Sequence, residues 1–221
     1  MIELHDVWKV YGRGKTAVSA LQGVSATIEE GEFISITGPS GSGKSTMMSI
    51  VGALDLPTRG KVFLRGKDIS KMDESDLAAL RGKRIGFVFQ QFNLIPTLTA
   101  LENVMLPMEF QDDNGAKKKA KEALEKVGLK DRMGHKPAEL SGGQHQRVAI
   151  ARAIAHNPDM ILADEPTGNL DTKTGNDVMG IFGTLHNEGK TIVLVTHDMG
   201  LASRANRSIR LVDGKIDGGN L

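Results

Sequence analysis

The hydrophobic positions fall into short compact runs separated by longer stretches of helical period. Residues 32–37, 61–64, 85–89, 160–163, 191–196 and 209–212 are largely apolar, and turn-forming residues border several of them, as expected of short buried strands. Two further β-leaning stretches, 2–10 and 23–28, flank a glycine-bearing loop. Residues 45–53, 116–127, 144–155 and 177–185 read as helices, the second stopped by Gly128. Strands alternating with helices predict an α/β fold with a mostly parallel sheet covered on both faces. From about residue 91 to residue 157 the helical pattern prevails. A helical subdomain is therefore expected there, inserted into a core made of residues 1–90 and 158–221.

Composition narrows the classes without deciding among them. The 221 residues are 39% hydrophobic and 25% charged, enough to bury a sizeable core. Twenty-eight basic residues against 27 acidic ones leave a net charge of +1, which argues against holding nucleic acid by an overall positive field. There is no cysteine, so a disulfide or a thiolate metal site is excluded. No apolar run approaches the ~20 residues a membrane-spanning helix needs, and the first residues lack the pattern of a secretory signal. Any membrane connection is expected to come through a partner. The basic run Lys117–Lys119 with Lys121 reads as the solvated face of a helix, and the ten methionines as core filling.

Chemistry enters at Gly38-Pro39-Ser40-Gly41-Ser42-Gly43-Lys44-Ser45-Thr46, which fits G-x-x-x-x-G-K-[ST] between a strand and a helix. Glycines at this spacing let backbone N–H groups turn inward around phosphate oxygens, and the helix beginning near Lys44 adds its positive end. Lys44 would reach the β- and γ-phosphates, and the Ser45 hydroxyl would bind magnesium. A nucleotide-hydrolysing site also needs a carboxylate near the metal and a group that activates water. Asp164 and Glu165, at the end of the 160–163 run, supply both. Gly12-Arg13-Gly14 is too short for a dinucleotide fingerprint and reads as a loop.

Leu140-Ser141-Gly142-Gly143-Gln144, continued by Gln146-Arg147 and Ala151-Arg152-Ala153, resembles the signature motif of the ATP-binding cassette (ABC) ATPases. The other motifs of that family follow in order. They are Tyr11 near the start, Gln90, Asn169-Leu170-Asp171 and Thr196-His197-Asp198. The resemblance covers essentially the whole chain. It implies the P-loop NTPase (RecA-like) version of the α/β fold, with an N-terminal antiparallel β subdomain. It implies ATP and Mg2+ as the bound groups, with Ser45, Gln90 and Asp164 at the metal. Glu165 would be the general base, positioned by His197 at the γ-phosphate, and Tyr11 would stack on adenine. Ser141, Gly142, Gly143 and Gln144, with Asp171 of the neighbouring loop, would complete the site held by a second copy. The chain would thus act as a head-to-tail homodimer around two ATP molecules.

Residues 89–96, 101–104 and 166–171 are similar to the lipoprotein-releasing and macrolide-exporter (LolD/MacB) branch, whose ATPases work with a permease of few spans. That likeness implies a peripheral subunit on the cytoplasmic face of the membrane, with an integral permease docking near residues 90–101. Phe92, Leu94, Ile95, Leu98 and Leu101 would form its groove or, alternatively, the core of the insertion. His145 departs from the branch, which usually carries glutamine there. Two other readings stay open. One is regulation of division or cell-wall enzymes through a permease-like partner, and the other is a non-transport ABC protein.

Overall fold

The computed structural model describes residues 1–111 and 113–218, arranged as two compact units. The first comprises Met1–Arg81 and Thr191–Leu221, and the second Gly82–Lys190. In the first unit β1 (Ile2–Tyr11) pairs antiparallel with β2 (Val18–Ile28) and with β4 (Arg59–Leu64), which in turn pairs with β5 (Lys67–Asp68). This is the expected antiparallel subdomain, with β2 entering five residues earlier than its sequence pattern suggested. A second layer is built on β3 (Phe33–Thr37), every residue of which is buried. It pairs in parallel with β8 (Thr191–Val195) on one side and β9 (Arg207–Val212) on the other. The hairpin partner β10 (Lys215–Ile216) closes on β9. Continuous apolar runs without alternation are what a strand buried on both faces requires.

Helix α1 (Lys44–Val51) packs against β2 and β8 through Met47, Met48, Ile50 and Val51. The chain leaves this unit within α2 (Glu74–Arg84), a helix the sequence pattern missed because Leu77 is its one buried residue. Its start is nevertheless marked by the Asp73 carboxylate, which accepts the Asp76 N–H at 2.8 Å.

The second unit joins the parallel pair β6 (Ile85–Val88) and β7 (Met160–Asp164) to a helical cluster. Helices α3 (Ala100–Glu109), α4 (Ala116–Lys126) and α5 (Gly142–Ile154) pack on one another, and α5 also packs on β6 and on α6 (Thr172–Asn187). The short α7 (Met199–Ala202), in the first unit, follows β8. Helix α3 was not anticipated from hydrophobic period, although Thr99 and Glu102 form a complete capping box at its start. Helix α6 begins five residues before its expected start because Asp171 caps it, accepting the Thr174 N–H at 3.0 Å. Gly128 ends α4 as expected, at φ +75°.

Helix α5 lies so near β6 that a Cβ at Gly86 would come within 2.3 Å of the Ala153 carbonyl oxygen. A side chain there must push the helix off the strand. Gly86→Val is expected to cost about 1–3 kcal/mol and to lower the melting temperature by roughly 2–4 °C per kcal/mol, which circular dichroism measures.

Candidate nucleotide site

In the first unit, Gly38–Gly43 leaves the end of β3 as a loop whose glycines are set by two different constraints. Gly38, Gly41 and Gly43 all have positive φ, at 142°, 78° and 101°. At Gly38 a Cβ would lie 2.1 Å from the Leu211 carbonyl oxygen, and at Gly43 2.4 Å from that of Ala20, so backbone approach alone excludes a side chain. At Gly41 a Cβ would meet nothing within 4 Å, so the requirement there is conformational. Gly43 is the N-cap of α1, and no side chain caps the helix. Its first N–H groups therefore face the loop without an intrahelical acceptor. Ser42 is buried, and its Oγ has no hydrogen-bond partner within the protein. Lys44 Nζ donates to the carbonyls of Gly38 at 2.8 Å and Pro39 at 2.9 Å, so it bends over the concavity. An uncapped helix start, an orphaned hydroxyl and an overhanging ammonium together fit an anion of phosphate size. Ser45, beside Lys44, is exposed.

Tyr11, at the end of β1, is 44% exposed, and its hydroxyl donates to Asp55 Oδ2 at 2.9 Å. Burial, and then the Asp55 hydrogen bond, push its phenol up, so it remains a neutral aromatic surface. His197 is exposed just beyond the end of β8, followed by Asp198, whose carboxylate caps α7.

The second unit carries the carboxylates and the signature. Asp164 ends β7 half-buried, and Glu165 follows it with φ +43°, a left-handed conformation that costs a non-glycine residue about 1–3 kcal/mol. The Gly168 N–H closes the turn on the Glu165 carbonyl at 3.0 Å. A Cβ at Gly168 would lie 2.9 Å from the Gln90 side-chain amide, so Gln90 rests directly on this turn. Asn169 fixes Gln90 from the other direction, donating to its carbonyl at 2.9 Å. Gln90, Glu165 and the loop beginning at Asn169 are thereby brought together.

Ser141 caps α5 in a capping box with Gln144, the Gln144 amide oxygen accepting the Ser141 N–H at 2.8 Å. That leaves the Gly142 and Gly143 N–H groups without an intrahelical acceptor. Gly143 has a second reason to be glycine, which sequence reasoning missed. A Cβ there would lie 2.3 Å from Thr174 Cγ2, on the first turn of α6. Thr174 in turn donates its hydroxyl to Asp171 Oδ2 at 2.6 Å, which holds the Asp171 carboxyl below the usual range. The Asp171-x-x-Thr174 spacing of an N-cap is the signal that would have found it.

A family model described as ABC transporter matches residues 21–168. The chain belongs to that family. An ABC transporter ATP-binding protein of Thermotoga maritima is 54% identical over 99% of this chain and 94% of its own length. A macrolide export ATP-binding/permease protein, MacB, of Hyphomonas neptunium is 50% identical over the full chain, which spans 35% of that longer protein. Among solved structures, the cassette MJ0796, which occurs in Methanocaldococcus jannaschii, is 49% identical with a TM-score of 0.90 over 99% of this chain and 97% of that one. It was solved as a dimer in a post-hydrolysis state bound to ADP and Pi. The present chain is accordingly an ABC ATPase that binds ATP. Its fold is the P-loop NTPase fold expected, with an antiparallel N-terminal sheet beside parallel strands.

Three residues of the second unit were not anticipated as partners of the Gln90 segment. Arg152, mostly buried on α5, donates to the carbonyls of Phe92 at 2.9 Å and Asn93 at 2.6 Å. His145 packs against Phe92 with ring centroids 5.3 Å apart, and its Nε2 lies 2.6 Å from the Pro137 carbonyl oxygen. Asn103 binds the backbone of Ile95, Leu98 and Thr99 through its amide, so the following loop is held rigidly on α3. Phe92, Leu94, Leu98 and Leu101 are half-buried and Ile95 is 39% exposed, so this ABC ATPase presents part of that apolar cluster to solvent.

The Gly143–Thr174 contact gives a direct test of the signature packing. Gly143→Ala is expected to lower both the melting temperature and the ATPase rate. Adding Thr174→Ser, which removes the clashing methyl and keeps the hydroxyl for Asp171, should recover at least half of each loss. Melting curves and phosphate release on the two variants measure the recovery.

Proposed function

We propose that this ABC ATPase is the energising subunit of a membrane permease, closing with a second copy on two ATP molecules. In this reading the transport substrate is a lipoprotein, drug or peptide that is exported or extracted. The observation that carries the dimeric part is the presence of two separate phosphate-type helix starts in one chain, at Gly43–Lys44 and at Ser141–Gly143. One chain needs one such site for each triphosphate, and a head-to-tail pair uses both. The dimeric MJ0796 structures and the likeness to the macrolide export protein MacB support it.

The site residues take the following roles in this proposal. Lys44 and the Gly38–Gly43 amides hold the β- and γ-phosphates, and Tyr11 carries the adenine. Ser45, Gln90 and Asp164 hold the magnesium ion, which would neutralise charge developing on the transferred phosphoryl group. Glu165 takes a proton from the attacking water, and its strained backbone at the end of β7 supports that role. His197 orients Glu165 and touches the γ-phosphate. Ser141, Gly142 and Gly143 of the second copy donate N–H groups to the same phosphate, with Gln144 bracing the Ser141 cap and Asp171 standing beside them.

Residues 91–157 act as the helical subdomain of this scheme, with the remainder as the nucleotide-binding core. The permease docks at the Ile95 end of the segment following Gln90, where apolar side chains reach solvent on a loop fixed by Asn103 and Arg152. The subunit would then sit on the cytoplasmic face of the membrane. Among the described residues no helix is long and apolar enough to cross it.

Glu165→Gln should slow hydrolysis by about 100-fold or more while leaving ATP binding intact. With ATP and magnesium this variant is expected to elute as a dimer from a sizing column, and Ser141→Arg added to it should return the monomer. A Glu165→Gln protein that stays monomeric with saturating ATP would overturn the paired-site reading.

A further inference from the structure

Lys9 and Tyr11, both on β1, form one side-chain network with Asp55, which follows α1. The Tyr11 hydroxyl donates to Asp55 Oδ2 at 2.9 Å. Lys9 Nζ donates to Asp55 Oδ1 at 2.5 Å and to the Leu56 carbonyl at 2.8 Å, and the Leu56 N–H also reaches Asp55 Oδ1. The same ammonium lies 5.0 Å from the centroid of the Tyr11 ring. Lys9 is well buried, with 13% of its side chain exposed, against 31% for Asp55. Burial pushes the Asp55 carboxyl up, but the hydrogen bonds from Lys9, Tyr11 and Leu56 outweigh it and hold the group below its ordinary range.

The placement of these partners along the chain gives the network its meaning. Asp55 lies four residues past the end of α1, the helix that opens at the phosphate loop, and its N–H donates to the Ser49 carbonyl of that helix at 3.2 Å. The Tyr11 hydroxyl is therefore tied, through Asp55, to the helix that the phosphate loop opens. The distance and tilt between the aromatic ring and the phosphate loop are fixed before any nucleotide arrives, which removes an ordering cost from binding.

We propose that Asp55 and Lys9 are positioning residues that hold Tyr11 at the base-to-triphosphate spacing of a purine nucleotide. The proposal rests on the reading of Tyr11 as the adenine platform. It adds that the platform works because its hydroxyl is anchored, so aromaticity alone does not suffice. Neither Asp55 nor Lys9 belongs to any motif in the sequence that marks a nucleotide site.

The test compares a ligand that has a base with one that lacks it. Affinities for ATP and for inorganic tripolyphosphate are measured by displacement of a fluorescent nucleotide, on the wild type and on Tyr11→Ala, Tyr11→Phe and Asp55→Ala. Loss of base stacking in Tyr11→Ala should weaken ATP at least about 10-fold. Asp55→Ala should weaken ATP about 3–10-fold, with the affinity for tripolyphosphate unchanged and kcat at saturating ATP preserved, and Tyr11→Phe should weaken ATP to a similar extent. Their double variant should be no weaker than the worse single one, because both break the same bond. If Tyr11→Ala binds ATP like the wild type, the platform reading itself fails and the inference with it. If Tyr11→Ala is weak but Asp55→Ala binds ATP normally, the platform stands and the positioning role is overturned. An equal loss of ATP and tripolyphosphate in Asp55→Ala also overturns it, since that marks general damage to α1.

Discussion

The nucleotide half of this protein depends on a place where three backbones meet with no room for a side chain. Gly38 faces the Leu211 carbonyl, Gly43 faces that of Ala20, and a Cβ at Gly214 would stand 2.8 Å from the same Ala20 oxygen. Hydrogen bonds lock the junction. The Gly214 N–H donates to the Ser42 carbonyl at 3.0 Å, and the Gln22 N–H donates to the Gly214 carbonyl at 2.8 Å. The turn after β9 is thus the floor of the phosphate loop, and β2 is its wall. The Ser42 carbonyl is held in this junction, while those of Gly38 and Pro39 accept from Lys44.

The second unit solves a different problem, the exact placement of the α5 start. Its glycines must leave N–H groups open, yet a helix end without side chains is poorly fixed. The structure resolves this by packing Gly143 on Thr174, which is itself bound by the Asp171 cap, and by the Ser141–Gln144 capping box. Farther along α5, Arg152 and His145 hold Phe92 and Asn93. The segment following Gln90 is in this way fastened directly to the helix that carries the signature residues. His145, which departs from the usual glutamine of its branch, keeps a polar contact through the Pro137 carbonyl and adds an aromatic one to Phe92.

Most of the strands were legible because each is a short apolar run with a clear boundary, and β3, β7 and β8 need no more than that to be placed. The helices of the second unit were less so. Helix α3 carries Pro107 and a mixed apolar face, so its period is blurred, and its capping box at Thr99 was the better signal. Helix α2 buries too little for any periodicity to register. The early start of α6 is hidden in the sequence because Asp171 belongs to the Asn169-Leu170-Asp171 motif, while the same carboxylate also caps the helix.

By itself the sequence marked the ATPase family and the candidate groups: a phosphate loop ending in Lys44 and Ser45, carboxylates at Asp164 and Glu165, and a signature at Ser141–Gln144. Such groups are legible because phosphate binding demands particular residue types at fixed local spacing. Tertiary structure alone decided which residues hold those groups in place. Asp55, Lys9, Thr174, Arg152 and Leu211 act across large sequence separations through hydrogen bonds and close backbone approach. No local pattern encodes such contacts, since they exist only once the chain has folded. The glycines of the phosphate loop belong to both accounts: their spacing announced an anion site, and the carbonyls of Ala20 and Leu211 supplied the reason no other residue fits at Gly43 and Gly38.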